Sequence, residues 1–167
     1  ILGSKSIGEI EGVLSANSVG LEGVRAADLT MSFSWSSEPN SAGYKGHVYN
    51  MSGGLGLGTH GSMGRSEQRN VMIASGPSFK SGVVVQTPTG NIDLAPTTLR
   101  LLGLDCDIEM DGRVLEEALV DGPDPSTIGS INDLLRAERS IDAGVYRQEV
   151  SVSRIGSTTY VNHGNRQ

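Results

Sequence analysis

At 167 residues, 37% hydrophobic and 19% charged, the chain has the length of one domain and a globular rather than disordered composition. Its net charge of −6 argues against a nucleic-acid coat, which needs a basic face, but permits a small phosphate-bearing substrate whose charge metal ions would meet. No apolar run approaches the about 18 residues of a membrane span, and a lone cysteine, Cys106, excludes an intrachain disulfide and a cysteine-rich zinc site.

The first 28 residues are mixed, glycine-containing and without a clear period. Leu29, Met31, Phe33 and Trp35 then alternate with Thr30, Ser32 and Ser34, which predicts a half-buried strand. Residues 36–58 read as a loop ending in Gly53-Gly54-Leu55-Gly56-Leu57-Gly58, a run flexible enough to deliver the following His60 into a site. Val71-Met72-Ile73-Ala74, stopped by Ser75-Gly76-Pro77, predicts a strand buried on both faces. Val83-Val84-Val85 predicts a further short strand.

From Asp93 the pattern becomes helical. Asp93 is a candidate cap, Pro96 is tolerated in a first turn, Ala95, Leu99 and Leu102 share a face, and Gly103 is a natural stop. A second short helix is predicted from Asp111 through Leu119, and a third over 130–141 with Ile131, Leu134 and Leu135 as its apolar positions. The tail alternates again around Gly156, which predicts a closing hairpin over 145–162. Strands interleaved with helices make the expected fold α/β, as a single portion over 1–167.

Four motifs follow one another: Gly58-Thr59-His60-Gly61-Ser62, Gly76-Pro77-Ser78-Phe79-Lys80, Asn91-Ile92-Asp93-Leu94-Ala95-Pro96-Thr97-Thr98-Leu99, and Met110-Asp111-Gly112-Arg113-Val114-Leu115. A Gly-x-His-Gly motif alone arises easily by chance. The order and spacing of all four resemble the C-terminal part of the bacterial type I phosphodiesterase/nucleotide pyrophosphatase family, within the alkaline-phosphatase superfamily. The resemblance is strongest over residues 25–120.

That resemblance implies the C-terminal portion of an alkaline-phosphatase-like sheet flanked by helices. It implies two zinc ions held by Asp and His side chains, which would hydrolyse phosphate diesters or nucleotide pyrophosphates. His60 would be the last zinc ligand along the chain. The Thr or Ser nucleophile and the other ligands would belong to an upstream part of the same protein, leaving this chain with an incomplete zinc site and no activity of its own. The opening Ile1-Leu2-Gly3, without an initiator Met, fits such a piece, or a chain from which a leader was removed. Sulfatases and phosphonate hydrolases of the superfamily share this region or close relatives of it, so substrate class is implied less narrowly than fold. A reading from another class is a non-catalytic binding or scaffolding module derived from the same fold. An upstream Thr or Ser with Asp-His motifs would separate the two.

Other polar residues have simpler explanations. His47 and His163 lie in polar stretches and read as solvated histidines. The Asp93 carboxylate suits a metal, but capping accounts for it. Asp105, Asp107, Glu109 and Asp111 alternate without the pattern of a calcium loop and read as a solvated turn. Arg65, Arg69 and Lys80 flank two motifs as candidate phosphate contacts. Ser62 lacks a nucleophile elbow around it. Asn50-Met51-Ser52 matches a glycosylation sequon that a bacterial-type chain would not normally use.

Overall fold

The structure, a computed structural model, describes residues 2–4, 10–21, 23–48 and 60–166. The Gly53–Gly58 run, Thr59 and the Asn50 sequon lie outside them. The described residues form a mixed α and β structure of small sheets and few helices. Two compact units divide the chain, one of Ile1–Asn70, Asp133–Val152 and Val161–Gln167, the other of Val71–Asn132 and Ser153–Tyr160.

In the first unit, β1 (Leu2–Gly3) pairs in parallel with β2 (Leu14–Ser15) and antiparallel with β3 (Leu29–Thr30). β4 (Trp35–Ser36) pairs antiparallel with β5 (His47–Val48), Trp35 opposite Val48. The single strand predicted over Leu29–Trp35 is therefore two short pieces. The chain changes pairing partner between Thr30 and Trp35, so the apolar alternation never lies on one sheet face. Leu29, Met31 and Phe33 are exposed as a result. The core is instead Leu2, Leu14, Ala16, Val19, Val150 and Val152. Burying each of the larger of these stabilises by about 1.5–3 kcal/mol relative to leaving it in water. A single helical turn, α1 (Arg65–Gln68), also belongs to this unit.

In the second unit, α2 (Leu94–Leu102) runs as predicted and stops at Gly103. Gly103 adopts φ +63°, a left-handed conformation that suits glycine, and the Leu104 amide bonds back to the Leu99 carbonyl at 3.0 Å. The buried face is not the predicted one. Asp93, Pro96 and Thr97 are buried, Leu99 is half-buried, and Ala95 and Leu102 are exposed. Polar contacts of Asp93 and Thr97 orient this helix, overriding its apolar stripe. The helix predicted from Asp111 to Leu119 shrinks to a 3-10 turn at Glu116–Ala118, although Leu115 and Leu119 are buried. Beside this turn, the Lys80 amide bonds to the Ala118 carbonyl and the Val120 amide to the Ser78 carbonyl, at 2.9 and 3.0 Å.

Val71–Ala74 and Val83–Val85 form no strand. Val71 and Ile73 are 85% and 88% exposed. A strand buried on both faces needs neighbours on its edges and layers above and below, and no described strand pairs with either segment.

Three long strands close the chain: β6 (Ile131–Ile141), β7 (Gly144–Ile155) and β8 (Thr158–Arg166), in that order within one sheet. The two-residue connections Asp142-Ala143 and Gly156-Ser157 make neighbouring strands antiparallel. β7 and β8 are the expected hairpin. β6 replaces the helix predicted over 130–141. Its exposure alternates, with Asp133, Leu135 and Ala137 half-buried between exposed Leu134, Arg136 and Glu138. Among the described residues no helix is long and apolar enough to cross a membrane.

Candidate functional site

His60 is exposed on an irregular segment that leads into α1. Gly61 follows at φ +86°, turning the chain sharply. The next residue is then tied down. Ser62 is buried, its amide donates to Glu67 Oε2 at 3.0 Å, and its hydroxyl donates to the same oxygen. Gln68 Nε2 donates to the Ser62 carbonyl at 2.7 Å, and the Gly64 amide donates to Ser62 Oγ at 3.0 Å. One residue on, the Met63 amide donates to Ser32 Oγ and its carbonyl accepts from the Gly164 amide of β8, both at 2.9 Å. The backbone after His60 is thus anchored while the residue itself faces solvent.

Zinc hydrolases use three or four protein ligands. Among the described residues, no group of three or more His, Cys, Asp or Glu side chains gathers in a metal-binding arrangement. An exposed imidazole on an anchored loop has the donor chemistry for one ligand position, and the described residues do not assemble a complete site.

The other two histidines are half-buried, not solvated. His47 lies in β5, paired opposite Ser36. His163 lies in β8 with its ring edge-on to Trp35, centroids 5.9 Å apart and planes at 90°. Trp35 in turn donates from Nε1 to the Gly164 carbonyl at 2.5 Å. Burial, then the positive charge of Arg65, lowers the His163 pKa, partly offset by Glu149, with Arg69 lowering it further. Burial and the neighbouring positive charge thus both favour the neutral imidazole. The acidic residues at 105, 107, 109 and 111 are exposed.

The remaining three motifs meet in the second unit. Asp93, fully buried, accepts from the Gly90 amide through Oδ2 and from the Arg113 amide through Oδ1, each at 2.9 Å. It closes the 3-10 turn before α2 and makes no side-chain cap of α2 itself. The Tyr160 hydroxyl lies 3.1 Å from both Asp93 oxygens, so its one proton is shared between them. Arg113 Nε donates to that hydroxyl at 3.0 Å, and its two terminal nitrogens donate to Glu117 at 2.8 and 2.6 Å. Lys80 Nζ donates to the carbonyls of Glu117, Gly122 and Pro123. An ammonium has three hydrogens, and three carbonyls use them. Lys80 therefore serves the fold, not a phosphate.

The electrostatics of this node agree with its geometry. Hydrogen bonds from Arg113 to Glu117 raise the already high Arg113 pKa. Burial pushes the Glu117 carboxyl upward, but the hydrogen bonds from Arg113 and from the backbone prevail and hold it below its usual range. Burial pushes Tyr160 up to about 12, with Asp93 raising it further and Arg113 opposing. Acceptors and donors are spent on one another, which makes the node a support. Glu117 carried one sequence signal, its opposite charge four residues after Arg113. Tyr160 carried none, since its partners lie 47 and 67 residues away.

No protein-family model matches the chain, and no curated protein or solved structure is significantly similar to it.

Proposed function

We propose that the chain is the C-terminal part of a zinc-dependent hydrolase of phosphate diesters or nucleotide pyrophosphates, to which it contributes His60 as one metal ligand. The observation that carries this reading is the pairing of an exposed imidazole with a loop anchored two residues later at buried Ser62. A ligand must reach an ion yet keep its direction, and this arrangement meets both needs. Further support comes from the downstream motifs, whose Lys80, Asp93 and Arg113 converge on one buried polar node.

In this reading, zinc would stabilise charge on the transferring phosphoryl group and lower the pKa of the attacking hydroxyl. The chain's own part is to present a nitrogen lone pair from His60 and hold its loop in place. The nucleophile, the other ligands and most contacts to a small phosphate-ester substrate come from the upstream part of the same protein, its principal partner.

The test compares zinc content and bis(4-nitrophenyl) phosphate hydrolysis for the 167-residue chain, the full-length protein and its His60→Ala variant. The chain alone should be inactive. The full-length variant should lose metal at one site and most of its turnover. Strong hydrolysis by the isolated chain, or full activity in the variant, would overturn the assignment.

A further inference from the structure

We infer that Glu67 is a positioning residue for His60, acting through a clasp on Ser62; the inference rests on the reading of His60 as a metal ligand. Four hydrogen bonds converge on the single residue Ser62. Its amide and hydroxyl both donate to Glu67 Oε2, its carbonyl accepts from Gln68 Nε2, and its hydroxyl oxygen accepts from the Gly64 amide. Glu67 and Gln68 are presented by α1, whose amides at both positions bond to the Gly64 carbonyl at 3.0 and 2.9 Å. The clasp and the turn that carries it therefore close on each other within seven residues.

The arrangement exceeds what holding a surface turn requires. A solvated loop can satisfy its amide and carbonyl with water, yet here a carboxylate is drawn in to do so. Only one of its oxygens is used. Glu67 Oε1 is buried and accepts no hydrogen bond among the described residues. Burying that second oxygen without a partner carries a desolvation cost, which the two bonds to the first oxygen offset. What those bonds secure is the backbone two residues from His60, across Gly61 at φ +86°. Glycine there gives a sharp turn but no stiffness. Fixing Ser62 at the far end of that turn narrows the positions open to the His60 backbone.

Partners behind a metal ligand typically change metal affinity by about 10–100-fold when removed. Glu67 acts through Ser62 rather than on the imidazole, so Glu67→Ala should speed zinc release to a chelator from the full-length protein by a factor at the low end of that range, about 10-fold. It should also accelerate amide hydrogen exchange at Ser62 and Met63. Glu67→Gln keeps a carbonyl oxygen as acceptor for both Ser62 donors and should restore slow release and slow exchange. A residue acting only on global stability would lower the melting temperature without this local exchange pattern and without rescue by Gln.

The His60→Ala variant separates positioning from metal ligation. If it loses zinc while Glu67→Ala releases zinc at the parental rate, the positioning role is overturned and the ligand reading stands. If His60→Ala keeps its zinc, the ligand reading fails and positioning of a ligand fails with it, even where exchange at Ser62 still reports a clasp.

Discussion

Glu117 places its carboxylate against the guanidinium of Arg113, four residues earlier, through hydrogen bonds of 2.6 and 2.8 Å, with only 1% of the Glu117 side chain exposed. The pair is not on an α-helix, where such spacing is routine, because only Glu116–Ala118 form a helical turn. It holds because Arg113 is also engaged by Tyr160 and the Pro88 carbonyl.

Removing one partner should cost far more than the pair contributes. Arg113→Ala leaves a buried carboxylate without its counter-charge, at about 3–5 kcal/mol. Joint replacement of both by apolar residues should cost less than that single change. Urea midpoints of the two single variants and the double variant give the comparison. Arg100→Ala, which breaks only exposed pairs with Glu116 and Asp121, should move the midpoint little.

Tyr160 should make the fold sensitive to alkali. Its folded pKa of about 12 lies above the ordinary 10. Below pH 10 the stabilisation is complete. Between pH 10 and 12 the unfolded chain loses its proton first, so stability declines by about 2–3 kcal/mol across that window. Tyr160→Phe should flatten the decline. Glu117 acts on the acid side, where its lowered pKa gives stability above the usual carboxyl range that is lost as pH falls through the folded value. Denaturation midpoints from pH 3 to 12 would show both limbs.

Gly112 should tolerate no side chain. A Cβ there would lie 2.1 Å from the Ile92 carbonyl oxygen and 2.8 Å from the Asp93 amide nitrogen, both backbone atoms. Gly112→Ala must push apart the segments that Asp93 joins, at about 1–3 kcal/mol or more. Gly129→Ala meets nothing within 4 Å and should leave the melting temperature unchanged.

Leu119, 1% exposed, and half-buried Leu99 should separate cleanly. Leu119→Ala should cost about 2–5 kcal/mol, and Leu99→Ala well under half as much as Leu119→Ala. Equal denaturation midpoints for the two variants would show that burial of Leu119 does not set the difference between them.

What could be read in advance divides by the range of the forces involved. The α2 helix and its stop at Gly103 depend on neighbours in sequence, and the closing hairpin depends on a break at Gly156 between alternating runs. Both are visible in a few residues. β6 was not, because apolar positions at 131, 134 and 135 suit a helix as well as an edge strand, and pairing with β7 decides between them. The apolar stripe of α2 was misleading for the opposite reason: two buried polar residues, Asp93 and Thr97, set its orientation through bonds to Arg113 and Leu115. For the candidate site, the motifs marked Lys80, Asp93 and Arg113 as special. They did not reveal that these residues share one node, nor that Glu67 holds the loop after His60.

The exposure of Val71 and Ile73 has a practical consequence for handling this chain. Val71-Met72-Ile73-Ala74 is uncharged, free of proline and half β-branched, so its exposed side chains form an apolar stretch open to contact with another molecule. The purified chain should therefore aggregate more readily as concentration rises, despite a net charge of −6 that keeps copies apart at long range. A single charge introduced as Ile73→Lys would interrupt the stretch and raise solubility without touching the buried node around Asp93.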